Sequence, residues 1–138
     1  MGAITAGIYG VLSEDATLRG MLGTYQGAPA IFTVEPVPGD APLPMIVTPG
    51  QVSDVPDDTY DSLGRDLLRD IRCYTEATGS TAQVEAIAER VRALFHRQQV
   101  PVAGYGGVLA EASGPILAPT DTTVYGLVVT VRLRLRQI

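Results

Sequence analysis

The chain has 138 residues, of which 46% are hydrophobic and 18% are charged, values typical of one folded domain. The chain contains a single cysteine, Cys73, and a single histidine, His96. It therefore cannot form an intrachain disulfide or a zinc site from its own Cys and His side chains. The sequence contains no apolar run of about 18 residues, so no membrane-spanning helix is predicted. No signal peptide is recognisable at the N-terminus. We therefore predict a single domain over residues 1–138 with no membrane partner.

The net charge of −5 is concentrated in the middle of the chain. Eight acids and two arginines lie between Glu35 and Asp70, and the remaining residues are close to neutral. All ten basic residues of the chain are arginines. Nucleic-acid recognition requires a basic stripe, so this charge pattern argues against it. The acidic middle instead favours a surface that is solvated or that docks a partner.

Apolar residues recur at helical spacing in two parts of the chain. Residues 3–12 form one such pattern, and Ser13 is a candidate N-cap for a second short helical turn. The longer pattern covers residues 81–95, where Ser80 and Gln83 have the spacing of a capping box. We expect its apolar face to be buried, with these residues: Val84, Ile87, Ala88, Val91, Leu94 and Phe95.

Alternation of apolar and polar residues predicts the strands. In chain order they are residues 30–34, 43–48, 67–75, 108–112 and 124–137. Turns are predicted at Gly114-Pro115 and at Pro119 to Asp121, and the acidic stretch 49–62 is predicted to be an exposed loop, of which residues 52–62 are not expected to pack in the isolated chain. This order of elements predicts an α+β fold, in which a largely antiparallel or mixed β-sheet is covered by helices on one side.

No motif of catalysis is present. The carboxylates Asp54, Asp57, Asp58 and Asp61 lack the glycine and the distal glutamate of an EF-hand loop, and they fit a solvated loop, a partner-docking loop or a metal site. His96, near the end of its helix, is placed to interact with the helix dipole, and Cys73 fits a small core residue. We expect no catalytic residue, no cofactor, no metal ion and no enzymatic activity.

Several segments carry a family resemblance: LSEDATL at 12–18, GAPAIF at 27–32, PLPMIV at 42–47 and CYT at 73–75, followed by helix 81–95 and the closing strand 124–135. In order and in apolar pattern they resemble the tail terminator, or tail completion, proteins of long-tailed bacteriophages and of gene transfer agents. The resemblance covers essentially the whole chain.

The resemblance implies a subunit that assembles into a ring, usually a hexamer, at the head-proximal end of a virion tail after synthesis in the host cytoplasm. Such a ring caps the tail tube, ends tube polymerisation and joins the tail to the head. The implied partners are copies of the chain itself, the tail tube protein and the connector proteins of the neck, and DNA passes through the ring without specific binding. The alternatives are a head-tail connector of the neck, or a small cytoplasmic enzyme or ligand-binding domain.

Arg132, Arg134 and Arg136 project from one face of the last predicted strand. They fit a solvent-facing stripe that guards the strand against aggregation, or a subunit contact with acids of the 54–61 segment, or the lining of a DNA channel. Arginine suits the subunit contact because its planar guanidinium binds a carboxylate through two hydrogen bonds. The candidate subunit and partner contacts are Asp54, Asp57, Asp58, Asp61, Arg132, Arg134 and Arg136.

Overall fold

The computed structural model describes residues 2–118 and 123–138, so the predicted turn at Pro119 to Asp121 lies outside the described residues. The elements follow in chain order: α1 (Ala3–Glu14), α2 (Ala16–Met21), β1 (Thr24–Tyr25), β2 (Ala28–Pro29), β3 (Ile31–Phe32), β4 (Met45–Val47), β5 (Gln51–Pro56), β6 (Gly64–Glu76), α3 (Ala82–Phe95), β7 (Tyr105–Leu117) and β8 (Val124–Gln137). Within the described ranges, no helix is long and apolar enough to cross a membrane. The α+β class predicted from the sequence is confirmed.

One mixed sheet with the strand order β3-β4-β6-β8-β7 organises the molecule. Its centre is the antiparallel pair of β6 and β8, which runs unbroken from Gly64 opposite Arg136 to Glu76 opposite Val124. Only β3 and β4 pair in parallel among the strands described. β4 and β5 lie one after the other along the same edge of β6.

The helices cover one face of this sheet, which we call the covered face. A single cluster of buried side chains joins α1, α2 and α3 to β6, β7 and β8. On β8 the inward residues Val129, Val131, Leu133 and Leu135 are fully buried, as the alternating pattern predicts. Val91 of α3 is fully buried as well, whereas Leu94, predicted beside it, is only half-buried.

The predicted loop over residues 49–62 is wrong in its first half. Gln51–Pro56 form strand β5, which pairs with the start of β6 and carries a bulge between Gln51 and Ser53. Acids and a proline are tolerated there because β5 lies at the edge of the sheet and Pro56 is its last residue. Residues 51–56 are therefore paired with β6 within the single chain, while most of their side chains remain exposed.

The predicted turn at Gly114-Pro115 is also wrong, because both residues lie inside β7. The ladder with β8 shifts register between Ser113 and Ile116, so the dipeptide forms a bulge. Gly114 has φ +94, and a Cβ there would lie 2.9 Å from the carbonyl oxygen of Val128, so this bulge requires glycine.

The free edge of β7 is closed by α3 and by the segment that follows it. The backbone N–H of Ala112 donates to Nδ1 of His96 at 3.2 Å, and the guanidinium of Arg92 donates to the carbonyl oxygen of Gly114 at 2.7 Å. Arg97 and Ala110 continue this closure with a backbone hydrogen bond. His96 thus acts as a hydrogen-bond acceptor for a strand edge.

Two predicted helix caps are replaced by neighbouring residues. Asp15, not Ser13, caps α2 by accepting a hydrogen bond from the backbone N–H of Leu18 at 2.8 Å. The same carboxylate binds the guanidinium of Arg90 in α3, and this hydrogen bond holds the pKa of Asp15 below its ordinary value. At α3 the N-cap is Thr81, which makes no capping hydrogen bond through its side chain, so the predicted capping box does not form.

Candidate interaction surface

The face of the sheet opposite the helices, which we call the open face, is polar and charged. Its residues are Asp66, Leu68, Asp70, Arg72 and Tyr74 of β6 and Thr130, Arg132 and Arg134 of β8. They alternate with the buried residues of the same strands, as the period of two requires. This face brings acids of β6 next to arginines of β8.

Asp66 is the centre of the charge pairs on the open face. Arg132 donates to its two carboxylate oxygens at 2.9 and 2.6 Å, and Arg134 lies 3.8 Å away. The hydrogen bond from Arg132 lowers the pKa of Asp66 below its ordinary value. Farther along the strands, the hydroxyl of Thr130 donates to Asp70 at 2.7 Å. Cross-strand register, which brings β6 beside β8, creates this network.

Residues 57–63, which we call the hairpin tip, join β5 to β6. The carboxylate of Asp57 binds Arg136 at 3.0 Å, and a second nitrogen of that guanidinium donates to the Asp57 carbonyl oxygen. A Cβ at Gly64 would overlap both Arg136 and the carbonyl oxygen of Asp57, so this contact requires glycine. The sequence predicted contacts between acids of the 54–61 segment and arginines of β8 across subunits. At Asp57 and Arg136 such a contact forms within one subunit.

The other predicted contact residues are placed separately. Asp54 lies on β5 and binds the guanidinium of Arg65, which also donates to the hydroxyl of Tyr105 at 3.1 Å. Asp58 accepts a hydrogen bond from the backbone N–H of Gly64 at 3.0 Å, and Asp61 lies on the exposed part of the tip. In the part of the chain that the structure describes, no cluster of three or more His, Cys, Asp or Glu side chains is arranged to hold a metal ion.

Sequence reasoning missed the buried arginine Arg69. Its guanidinium donates to the hydroxyl of Thr48 at 2.7 Å, to the Thr48 carbonyl oxygen at 2.6 Å, and to the side chains of Thr5 and Gln51 at 3.0 Å each. Within residues 2–118 and 123–138 no carboxylate contacts it. Burial lowers the pKa of Arg69 because the charged form loses its hydration.

A signal for Arg69 was present in the sequence. The inward face of the predicted strand contains Ile71, Cys73 and Thr75, and two residues before Ile71 on the same face is Arg69. Cys73 itself is fully buried, as predicted, and burial raises the pKa of its thiol to about 12.

Comparisons with known proteins find similarity over nearly the whole chain. The family model described as "Tail completion protein gp17" matches residues 6–136. Among solved structures, a chain from "Virion of native gene transfer agent (GTA) particle" has a similar fold, with a TM-score of 0.73 and 19% sequence identity. The similarity covers 97% of this chain and 95% of that chain. A comparison with curated proteins finds no match.

Proposed function

The chain belongs to the tail completion protein gp17 family, and we propose that it forms a ring of six copies that caps the tail tube at the end nearest the head. As a member of that family it is a structural protein of a virion tail. In the proposed role it ends tube polymerisation, joins the tube to the neck and lets DNA pass without specific binding. It acts by binding and not by turnover.

The extent of the family match carries this proposal. Residues 6–136 reach from α1 into β8, so the match extends over nearly the whole chain and not over one shared motif.

Exposed apolar side chains lie at both ends of the long strands and also along their length, at Val52, Val55 and Leu109. At one end of the long strands, Tyr60, Leu63 and Ile138 are exposed, and at the other end Ile116 and Leu117 are exposed. Because Leu117 lies opposite Leu127, about ten residues of β8, or roughly 33 Å, separate the two groups. A closed ring needs two different patches on each subunit, and the two separate groups of exposed apolar side chains are candidates for them.

The arginine stripe of β8 consists of Arg132, Arg134 and Arg136. Of the three, Arg134 is the most exposed and is therefore the best placed to contact a neighbouring subunit. Its side chain is 63% exposed and lies 3.8 Å from an Asp66 carboxylate that Arg132 already binds. Arg132 and Arg136 would have to exchange an intrachain carboxylate for one of the neighbour. We therefore propose Arg134 as the member of the stripe that contributes to the ring.

Solution mass and tube length test the proposed function. Light scattering and negative-stain electron microscopy should show rings of six copies, and the purified protein should stop the elongation of tubes assembled from the tail tube protein. Arg134→Glu should weaken the ring most at low salt, since exposed charge pairs are screened over about 8 Å at physiological ionic strength. Arg19→Glu is the matched control, because Arg19 is exposed and away from the stripe. A monomer at all concentrations, with tubes that grow equally with and without it, would overturn the proposal.

A further inference from the structure

The hairpin tip holds an aromatic side chain away from the body of the protein. Tyr60 is fully exposed, and its side chain has no hydrogen bond or ring contact among the described residues. Leu63, at the other end of the tip, is 59% exposed. Tyrosine at such a position supplies a large contact area and a polar hydroxyl at a small entropic cost, which is why it is common in the centres of interfaces.

The backbone that carries Tyr60 is ordered by its own hydrogen bonds. The N–H of Asp57 donates to the carbonyl oxygen of Gly64, and the N–H of Thr59 donates to that of Ser62, each at 2.9 Å. The carboxylate of Asp58 closes the turn from the inside by accepting the N–H of Gly64 at 3.0 Å. A tip fixed in this way needs no further ordering of its backbone on binding, so only the side chain of Tyr60 has to be immobilised.

Strand β8 also forms hydrogen bonds with the hairpin tip. The N–H of Gln137 donates to the carbonyl oxygen of Leu63 at 2.9 Å, and Arg136 binds the backbone and side chain of Asp57. The central strand pair of the sheet thus supports the tip directly.

The charge at the tip indicates what kind of surface it fits. Asp58 and Asp61 have no cationic partner among the described residues, so the exposed tyrosine has an acidic surround. A second copy of the chain is poorly matched to this surface. The chain has no lysine, and in the described ranges the arginine side chains that make no hydrogen bond are Arg19, Arg97 and Arg134, of which Arg134 already lies 3.8 Å from Asp66 of its own subunit.

We propose that the hairpin tip docks on a different protein of the tail, at an apolar pocket that receives Tyr60 and is rimmed by lysine or arginine side chains that face Asp58 and Asp61. Leu63 packs at the edge of that pocket. The inference rests on the proposed function, because it is that function which brings a tube or neck protein into contact with this chain.

Particles assembled without this chain provide the probe for the test. Their tubes and their neck-bearing heads are purified separately and mixed with the full-length protein, and binding is measured by co-sedimentation. Tyr60→Ser should weaken binding to one of the two preparations by about tenfold or more, as expected for loss of an aromatic anchor. Tyr60→Phe, which keeps the ring, should retain most of it. Val34→Ser is the matched control, because Val34 is also exposed but lies outside the tip.

A second variant tests the acidic rim without disturbing the turn. In Asp58→Asn/Asp61→Asn, the side chain at position 58 keeps an oxygen that accepts the N–H of Gly64. Binding by this variant should be weaker than that of the parent at low salt, and the difference should shrink as salt rises.

The outcomes separate this proposal from the function on which it rests. Equal binding by Tyr60→Ser and Val34→Ser overturns the docking of the tip. Loss of the ring by Tyr60→Ser, with tube and head binding kept, makes a second copy the occupant and overturns it as well. A lowered melting temperature for Tyr60→Ser shows that the side chain packs within the subunit, which also overturns it. If the parent protein neither forms rings nor binds tubes or heads, the proposed function itself fails.

Discussion

The two faces of the sheet place arginine in opposite ways on the same pair of strands. On the covered face, Arg69 is fully buried and binds hydroxyl, amide and carbonyl oxygens only, within the described residues. On the open face, Arg132 follows Val131, the β8 residue that lies opposite Arg69, and it binds the carboxylate of Asp66. The buried arginine is thus held by hydrogen bonds to neutral acceptors, whereas the partly exposed one is held by pairing with a carboxylate.

The energetic consequences of the two arrangements differ. A buried cation loses its hydration, and it is tolerated only where nearly every donor finds an acceptor. Arg69 meets this condition by tying α1, the end of β4 and the start of β5 to β6 through Thr5, Thr48 and Gln51. A partly exposed pair such as Arg132 and Asp66 contributes little to stability, because water and salt screen it.

The largest expected effect comes from the apolar part of the covered face. Leu133→Ala should lower the free energy of unfolding by about 2–4 kcal/mol, because Leu133 is fully buried and its truncation leaves a cavity. Leu68→Ala, on the open face, should cost less than about 1.5 kcal/mol, since Leu68 is only half-buried. Urea denaturation of both variants measures the difference, and equal losses would contradict the assignment of the two faces.

Arg69→Ala should come next, at about 2–3 kcal/mol, because it leaves a cavity and removes charge-assisted hydrogen bonds from buried acceptors. Arg69→Met fills a similar volume without a charge, and it should be less destabilising than Arg69→Ala. If alanine were tolerated as well as methionine in thermal and urea unfolding, the guanidinium would have no role in joining α1 to the sheet.

Arg132→Ala should have only a small effect on the free energy of unfolding, because the Arg132 side chain is 40% exposed and exposed ion pairs contribute little. The loss should shrink further in 1 M salt, where the screening length falls to about 3 Å. Unfolding measured at two salt concentrations tests this expectation. A salt-independent loss as large as that of Arg69→Ala would mean that the pair behaves like a buried one.

The smallest expected effect is on the pH dependence of stability. Because Arg132 lowers the pKa of folded Asp66 below its unfolded value of about 3.9, the pair stabilises the protein above that pH. That contribution is lost as the pH falls through the folded pKa. Asp66→Asn should therefore flatten part of the decline in stability below about pH 4. An acid profile identical to that of the parent would show that Asp66 makes no measurable contribution.

The sequence predicted the elements with strong periodicity and missed those that depend on long-range pairing. Strand β8 begins and ends where the alternation does, and α3 lies within the predicted helix. Strand β5 was missed because its proline and acids indicate a loop, and only pairing with β6 makes the segment extended. The bulge at Gly114 in β7 was missed because glycine and proline predict a turn when the partner strand is unknown.

The same limit applies to the candidate surface. The sequence identified Asp57 and Arg136 as candidate contact residues, but it gave no register that would place one against the other within a subunit. Whether these residues also contact a second copy stays a prediction. The exposed tyrosine of the hairpin tip carried no sequence signal, because exposure of an aromatic side chain depends on the turn that presents it.

The side-chain closure of the β7 edge restricts how copies of the subunit can meet. An unprotected strand edge is a template on which identical chains add without limit, as in fibrils. Here His96 and Arg92 occupy the backbone groups of Ala112 and Gly114 that an incoming strand would need. An incoming copy would have to displace both side chains before its own backbone could pair. The subunit is therefore protected, along this half of its longest exposed edge, against the open-ended growth that a sheet of long strands otherwise invites.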